Sequence, residues 1–261
     1  NKINEMNKAN YLMLIIAIFL VSCTQQFEKT DGKITGPLPR NQIQDIELIK
    51  EISNVDIELI TEDNVGIKAT FYKGDKDKPS IILIHMLNGN RNDWDDFAKI
   101  LQEIGYNVVA IDSRGHGESD LKWKSFSEDD FNKMVLDVKA AKVFLEDENL
   151  GNIALIGASI GANTALNFAA QDNSIKTVIL LSPGLDYRGV TTSETIKQFT
   201  KPTLIVASEG DTFSADSSRT LDSLSQDSVL KIYEGSEHGT RLFGKTDIDM
   251  VIIDWLQAYL N

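Results

Sequence analysis

The feature that most constrains the fold is a series of short apolar runs separated by longer amphipathic stretches. The runs do not alternate with polar residues, which is typical of strands that are buried on both faces. They lie at residues 80–84, 108–111, 153–156, 178–181, 203–206 and 229–233. The stretches with helical periodicity lie at residues 94–104, 128–146, 160–170, 214–224 and 248–260. Strands that alternate with helices predict an α/β fold: a doubly wound, mostly parallel sheet with helices on both faces.

Three further β-rich segments precede the first buried run. They lie at residues 46–50, 55–60 and 67–72, and turn residues such as Asp63 and Asn64 separate them. These segments predict antiparallel strands at the N-terminal edge of the sheet. We therefore expect one α/β domain over residues 46–261, a length that buries a sizeable core.

The first 45 residues have a different character. An apolar run at residues 11–21 follows Lys2 and Lys8. A run of roughly eleven residues is too short to cross a bilayer about 30 Å thick, but it fits the apolar core of a secretory signal peptide. We predict a signal peptide at residues 1–22 and a flexible polar tether at residues 23–45, which has too little apolar surface to fold.

Cys23 is the only cysteine of the chain. The segment Leu20-Val21-Ser22-Cys23 resembles a bacterial lipobox, in which the cysteine is acylated, for example with palmitate, and becomes the first mature residue. This resemblance implies a lipoprotein held on a membrane of the cell envelope, at its periplasmic or extracellular face. The alternatives are an ordinary cleaved signal peptide and a tail helix with an incidental cysteine.

Charge and composition exclude some functions. The net charge of −13 leaves no basic stripe to neutralise phosphates, which argues against binding to nucleic acid. The three histidines lie in separate loops and no glycine-rich phosphate loop is visible. The sequence therefore predicts neither a metal site nor a cofactor.

A candidate nucleophile lies in the segment Gly157-Ala158-Ser159-Ile160-Gly161. This segment directly follows a predicted strand and directly precedes a predicted helix. Small residues must flank a serine on such a tight turn, because the strand and the helix approach closely there. The start of the helix also favours negative charge nearby. We predict that Ser159 is a nucleophile, with a plain tight turn as the alternative.

A serine hydroxyl needs a base, and a histidine base needs an acid that orients it. His238 follows the last predicted strand, so it is the candidate base, with a surface loop histidine as the alternative. His116 is interpreted as structural. Asp211 follows the strand at residues 203–206 and is the candidate acid. Asp186 and Glu209 remain alternatives for that role.

The remaining requirement is a pair of donors for the negative charge of an acyl-transfer intermediate. The backbone N–H of Ile160, directly after the serine, is one candidate. The N–H of Met86, in the loop after the strand at residues 80–84, is the other. His85 is expected to brace that loop rather than to exchange protons.

Taken together, these motifs resemble the α/β-hydrolase superfamily. The segments that carry the resemblance occur in the order typical of that superfamily, at residues 83–89, 112–119, 157–161, 208–211 and 237–239. Within the superfamily, the chain is most similar to serine esterases with a minimal lid and to dienelactone-hydrolase-like members. The resemblance implies Ser159 as nucleophile, Asp211 as acid, His238 as base, and Met86 and Ile160 as oxyanion donors. Met86 departs from the pattern, since a glycine is usual there.

The resemblance also suggests a class of substrate. Only about twenty residues, 182–202, are available for a lid, so an open cleft and small or short-chain esters are expected. We expect a serine hydrolase that cleaves carboxylic esters through an acyl-enzyme. The alternatives are an acyltransferase or a peptidase on the same scaffold, and a lipoprotein that binds without catalysis.

Overall fold

The computed structural model describes residues 54–260, which are built around one eight-stranded sheet. Its strands are β1 (Asn54–Ile60), β2 (Gly66–Tyr72), β3 (Ser80–Ile84), β4 (Asn107–Ile111), β5 (Ile153–Ala158), β6 (Thr177–Leu181), β9 (Thr203–Ser208) and β10 (Ser228–Tyr233). Strands β7 (Asp186–Tyr187) and β8 (Val190–Thr191) form a separate two-stranded hairpin. The order across the large sheet is β1-β2-β4-β3-β5-β6-β9-β10.

The strand directions confirm the predicted fold class. β1 pairs with β2, and β2 with β4, in antiparallel fashion. Every other pairing in the large sheet, from β4 through to β10, is parallel. The predicted strands at 153–156 and 203–206 each extend two residues further, to Ala158 and Ser208. The loops that follow them therefore begin at the carboxyl edge of the sheet, where ligands bind in folds of this class.

Helices cover both faces of the sheet, as predicted. They are α1 (Asp95–Glu103), α2 (Glu128–Asn132), α3 (Met134–Asp147), α4 (Ile160–Ala169), α5 (Ser193–Gln198), α6 (Thr212–Leu224) and α7 (Ile248–Tyr259). Ile82 and Ile84 pack in one core cluster with residues of α3 and α4. Ile81 and Leu83 pack in a second cluster with residues of α1 and α7. Since alternate residues of one strand enter different cores, the strands are apolar without interruption.

The predicted helix at residues 128–146 is instead two helices. α2 begins at a capping box, in which the Ser127 hydroxyl accepts from the N–H of Asp130. A turn at Lys133 (φ −71°, ψ −7°) separates α2 from α3. This turn allows Phe131 and Met134, on either side of it, to be buried in the same small cluster. Helical periodicity continues across such a short break, so the pattern did not reveal it.

The segment between β6 and β9 contains only the β7–β8 hairpin and the six-residue helix α5. The prediction of a minimal lid with room for one short helix is thus confirmed. Three side-chain amides hold the hairpin to the rest of the domain. Asn163 donates to the carbonyl of Val190 (2.7 Å), Asn167 to that of Thr191 (3.0 Å), and Asn132 to that of Gly189 (3.1 Å).

The N-terminal predictions lie outside the described residues. They comprise the signal peptide at 1–22, the acylated Cys23, the tether at 23–45, the strand at 46–50 and the domain boundary at residue 46. Within residues 54–260, none of the helices combines the length and the hydropathy that crossing a membrane requires.

Candidate active site

Ser159 occupies a strained turn between β5 and α4. Its backbone has φ 56° and ψ −122°, a conformation that is costly for any residue with a Cβ atom. The surrounding glycines are required by close backbone contacts. A Cβ atom on Gly157 would lie 2.2 Å from the carbonyl oxygen of Gly161, and one on Gly161 would lie 2.5 Å from that of Ile84. The turn has the geometry that the sequence motif predicted.

His238 and Asp211 come together at the same edge of the sheet. They lie in the loops after β10 and β9, which are adjacent parallel strands. A backbone hydrogen bond of 2.7 Å from the N–H of Gly210 to the carbonyl of Gly235 joins these loops. The Nδ1 atom of His238 lies 2.6 Å from Oδ2 of Asp211. A carboxylate in this position fixes the orientation of the imidazole and stabilises its protonated form.

The two alternative acids are engaged elsewhere. The Asp186 carboxylate accepts a hydrogen bond from the N–H of Gly189 (2.7 Å) within the β7–β8 hairpin. Glu209 forms an ion pair with Arg219 on α6. Of the three candidates, the structure therefore brings only Asp211 into contact with the imidazole.

Ser159 and His238 line one cleft of about 350 Å³. Within the described part of the chain, no hydrogen bond joins their side chains. The hydroxyl of Tyr187, which also lines the cleft, lies 2.9 Å from Oγ of Ser214. The Nε2 atom of His238 has no hydrogen-bond partner among residues 54–260, while Oγ of Ser214 lies 3.4 Å from Nδ1. Catalytic hydrogen bonds are often long or misaligned before substrate binds.

The two candidate oxyanion donors belong to loops that touch. Met86 and Ile160 both line the cleft. Gly161 packs against the carbonyl of His85, so the loop after β3 contacts the start of α4. Neither the N–H of Met86 nor that of Ile160 donates a backbone hydrogen bond to another described residue. Both groups are thus available to a ligand.

His85 braces the loop that carries Met86. Its ring is fully buried, with Nδ1 2.8 Å from the carbonyl oxygen of Met86. Its Nε2 accepts a hydrogen bond of 3.0 Å from the backbone N–H of Ser113, so Nδ1 is the protonated nitrogen. Burial lowers the pKa of His85 to about 4. The ring therefore stays neutral at physiological pH and has no nitrogen free for proton exchange.

The stability of the domain is expected to fall on mild acidification because of His85. Its pKa is about 4 in the folded state, and a histidine of the unfolded chain has a pKa of about 6.5. The unfolded state therefore binds more protons between these values, and stability is lost as the pH falls through this range. Between pH 7 and pH 5 this group accounts for a loss of about 2 kcal/mol in the free energy of unfolding. Urea titrations of wild type and His85→Gln at both pH values measure it, and equal losses in the two proteins would contradict the assignment.

The loop after β4 is held by buried ion pairs, which the sequence did not predict. The Asp112 carboxylate pairs with Arg91 and accepts a hydrogen bond of 2.8 Å from the N–H of Glu118. Arg114 donates through its backbone N–H and its Nε to the buried carboxylate of Asp137, at 2.8 Å each. These contacts fix the loop from which Ser113 supports His85.

His116 has the structural surroundings predicted for it. Its Nδ1 lies 3.0 Å from the carbonyl oxygen of Arg114, and its ring stacks on Trp123. Burial lowers the pKa of this imidazole. His116 does not line the cleft that contains Ser159.

Sequence reasoning missed several residues around the candidate triad. Tyr187 and Ser214 form the hydroxyl contacts already described, and Oγ of Ser182 accepts a hydrogen bond of 2.9 Å from the N–H of Gly239. That bond holds the loop next to His238. Arg188 and Arg241 also line the cleft. All five lie in loops, at helix starts or in the short β7–β8 hairpin, where apolar periodicity carries no information.

Several solved protein structures share this fold. The Pyrococcus furiosus esterase Pf2001 superposes with a TM-score of 0.68 at 19% identity, over 88% of this chain and 97% of that one. Est1E from Butyrivibrio proteoclasticus, solved with ferulic acid bound, gives a TM-score of 0.68 at 18% identity, over 77% and 98% of the two chains. The family described as alpha/beta hydrolase fold matches residues 79–198. The described part of the chain has the α/β-hydrolase fold.

The curated relatives match this chain over only part of their own length. The non-heme chloroperoxidase CPO-A1 of Kitasatospora aureofaciens is 28% identical over 47% of this chain and 42% of its own. The AB hydrolase superfamily protein YisY of Bacillus subtilis is 31% identical over 39% and 37%. The matched part spans less than half the length of these relatives.

Proposed function

We propose that this α/β hydrolase cleaves carboxylic esters through an acyl-enzyme on Ser159, with His238 as base and Asp211 as acid. One observation carries the proposal. A serine on a strained turn shares a cleft with an imidazole whose Nδ1 is anchored 2.6 Å from a carboxylate. His85 has both ring nitrogens engaged by backbone groups, whereas Nε2 of His238 has no partner among residues 54–260. Nε2 of His116 also lacks a partner, but His116 is buried away from the cleft that His238 lines.

In the first half of the reaction, Oγ of Ser159 attacks the ester carbonyl carbon as its proton passes to Nε2 of His238. The resulting oxyanion accepts hydrogen bonds from the N–H groups of Met86 and Ile160. Collapse of this intermediate breaks the ester C–O bond, and the imidazolium gives its proton to the leaving alcohol. The acyl group is then bound to Oγ as an ester.

In the second half, water takes the place of the alcohol. Nε2 of His238 removes a proton as the water attacks the acyl carbon, and returns it to Oγ of Ser159 when the acid is released. Asp211 stabilises the imidazolium in both halves. The first step requires a hydrogen bond from the Ser159 hydroxyl to Nε2, which is expected to form when substrate binds.

The form of the cleft supports small or short-chain esters. The segment that carries a large lid in many lipases holds only the β7–β8 hairpin and α5 here. The volume of about 350 Å³ is at the lower end of the range for ligand pockets. Several solved structures with this fold are described as esterases, including that of Pyrococcus furiosus. These observations favour accessible ester bonds over long-chain triglycerides.

Covalent labelling tests the proposal. A fluorophosphonate probe is expected to label the wild-type protein at Ser159, as located by mass spectrometry, and to leave Ser159→Ala unlabelled. The protein that is labelled should hydrolyse 4-nitrophenyl esters of short acyl chains faster than those of long chains. Labelling at another residue would show that Ser159 is not the nucleophile, and the absence of both labelling and hydrolysis would leave a binding protein instead of an enzyme.

We also propose that Cys23 carries an acyl anchor to a membrane of the cell envelope. This proposal rests on the lipobox-like segment and on Cys23 being the chain's only cysteine. Release of a Cys23→Ala variant from the membrane fraction would support it, and equal retention of that variant would refute it.

A further inference from the structure

The arginines of residues 54–260 fall into two groups. Arg91, Arg114 and Arg219 form ion pairs with carboxylates of the domain. Arg188 and Arg241 form none with the described residues, and both line the cleft that contains Ser159. In a chain with a net charge of −13, two unpaired cations at one cleft are an unusual concentration of positive charge.

The loops that carry these arginines are fixed. Arg188 lies at the turn of the β7–β8 hairpin, with φ 57°, next to Gly189, whose N–H and carbonyl are both bonded to side chains. Arg241 lies in the turn Gly239–Leu242, and its N–H donates to the carbonyl of His238 at 3.2 Å. Each guanidinium is therefore attached to backbone that also shapes the candidate site.

The charged residues of the cleft limit the charge of the ligands that it can bind. Asp186 also lines it, so the lining residues carry a formal charge of +1 when His238 is neutral, and the Asp211 carboxylate behind the imidazole offsets this charge. Burial raises the pKa of the Asp93 carboxyl group, and the nearby positive charge of Arg241 opposes this rise. A cleft with this balance attracts an anion of one charge more readily than a dianion such as a phosphate monoester. Guanidinium groups match the planar, two-oxygen geometry of a carboxylate.

We propose that the substrate is an ester that carries a free carboxylate, bound by Arg188 and Arg241 while the ester bond lies at Ser159. Half-esters of dicarboxylic acids and acylated hydroxy acids are the two chemical sources of such a group. The inference rests on the proposed esterase function. It extends that function by assigning a class of substrate.

Paired substrates test this assignment and separate the two sources. For a carboxylate in the acyl part, the pair is the mono-4-nitrophenyl ester of adipic acid and 4-nitrophenyl hexanoate. For a carboxylate in the alcohol part, the pair is 4-acetoxybenzoate and its methyl ester. In at least one pair, kcat/KM of the wild type is expected to favour the anionic ester. Arg188→Gln and Arg241→Gln are each expected to lower that anionic-to-neutral ratio by about tenfold, and Arg241→Glu by more.

The matched control is Lys139→Gln, which removes an exposed cation on α3 that pairs with Glu62. The ratio is expected to stay at the wild-type value in this variant. Ratios that are unchanged in the arginine variants, or lowered equally in the control, would overturn the carboxylate site. Hydrolysis of the neutral esters would then still support the proposed function.

A binding measurement tests the carboxylate site independently of ester hydrolysis. Calorimetric titration of Ser159→Ala with monomethyl adipate, which carries one carboxylate, is expected to show binding that is weakened about tenfold by the additional change Arg241→Gln. Such binding would support the carboxylate site even if the wild type hydrolysed no ester. Absence of binding together with unchanged substrate ratios would refute the site by two independent measurements.

Discussion

Replacing Ser159 with alanine is expected to lower kcat for ester hydrolysis by about 10⁶-fold, the scale found when a triad nucleophile is removed. In the proposed reaction Oγ is the atom that forms the acyl-enzyme, and no other hydroxyl of the cleft lies on the strained turn between β5 and α4. Single-turnover and steady-state kinetics with a short 4-nitrophenyl ester measure the loss. A residual rate within tenfold of the wild type would show that the nucleophile is another group.

Substitutions of Ser159 are also expected to change the stability of the domain. Alanine keeps the Cβ atom at φ 56°, so Ser159→Ala retains the backbone strain. Glycine has no Cβ atom, and Ser159→Gly is expected to raise the free energy of unfolding by about 1–2 kcal/mol relative to Ser159→Ala. Urea denaturation of the two inactive variants measures this difference. If the glycine variant is the less stable of the two, the turn does not store strain.

Asp211→Asn is expected to lower kcat by about 10⁴-fold, as the loss of the orienting carboxylate does in other triads. An asparagine amide that donates to Nδ1 of His238 would stabilise the tautomer in which Nε2 carries the proton and is unable to accept another. The fold should persist, because the Asp211 side chain makes no capping hydrogen bond to α6. Steady-state kinetics and circular dichroism measure the two quantities.

The alternative acids supply matched controls for this experiment. Asp186→Asn removes a carboxylate that accepts only from Gly189 in the hairpin, and Glu209→Gln removes the partner of Arg219. Each is expected to change kcat for neutral esters by less than about tenfold, since neither side chain contacts the imidazole. A loss in either variant as large as that in Asp211→Asn would transfer the role of acid to that residue.

The sequence predicted the sheet well because burial leaves a strong pattern. Strands such as β3 pack Ile81 into one core and Ile82 into the other, so each buried strand is visible as an apolar run. The turn at Ser159 was equally predictable, since Gly157 and Gly161 are required by contacts shorter than any Cβ atom permits. Steric requirements of this kind restrict residue type and can be read from one sequence.

The surroundings of the site were less predictable because they depend on contacts between distant loops. Asp211, Asp186 and Glu209 all follow strands at the carboxyl edge, and only the pairing of β9 with β10 shows which of them meets His238. Arg188 and Arg241 are separated by more than fifty residues, and no periodic pattern links them. The break between α2 and α3 was missed for a related reason, since the burial of Phe131 and Met134 is a tertiary effect.

The three asparagine amides that hold the β7–β8 hairpin have a consequence for how substrates enter. Asn163 and Asn167 belong to α4, the helix that begins directly after Ser159, so the hairpin and the nucleophile are fastened to a common support. The hairpin is therefore expected to keep its position relative to Ser159, so that the entrance to the cleft keeps a constant width. If the proposed function holds, esters are expected to be selected by size and shape at this entrance, and their turnover is expected not to depend on movement of the hairpin.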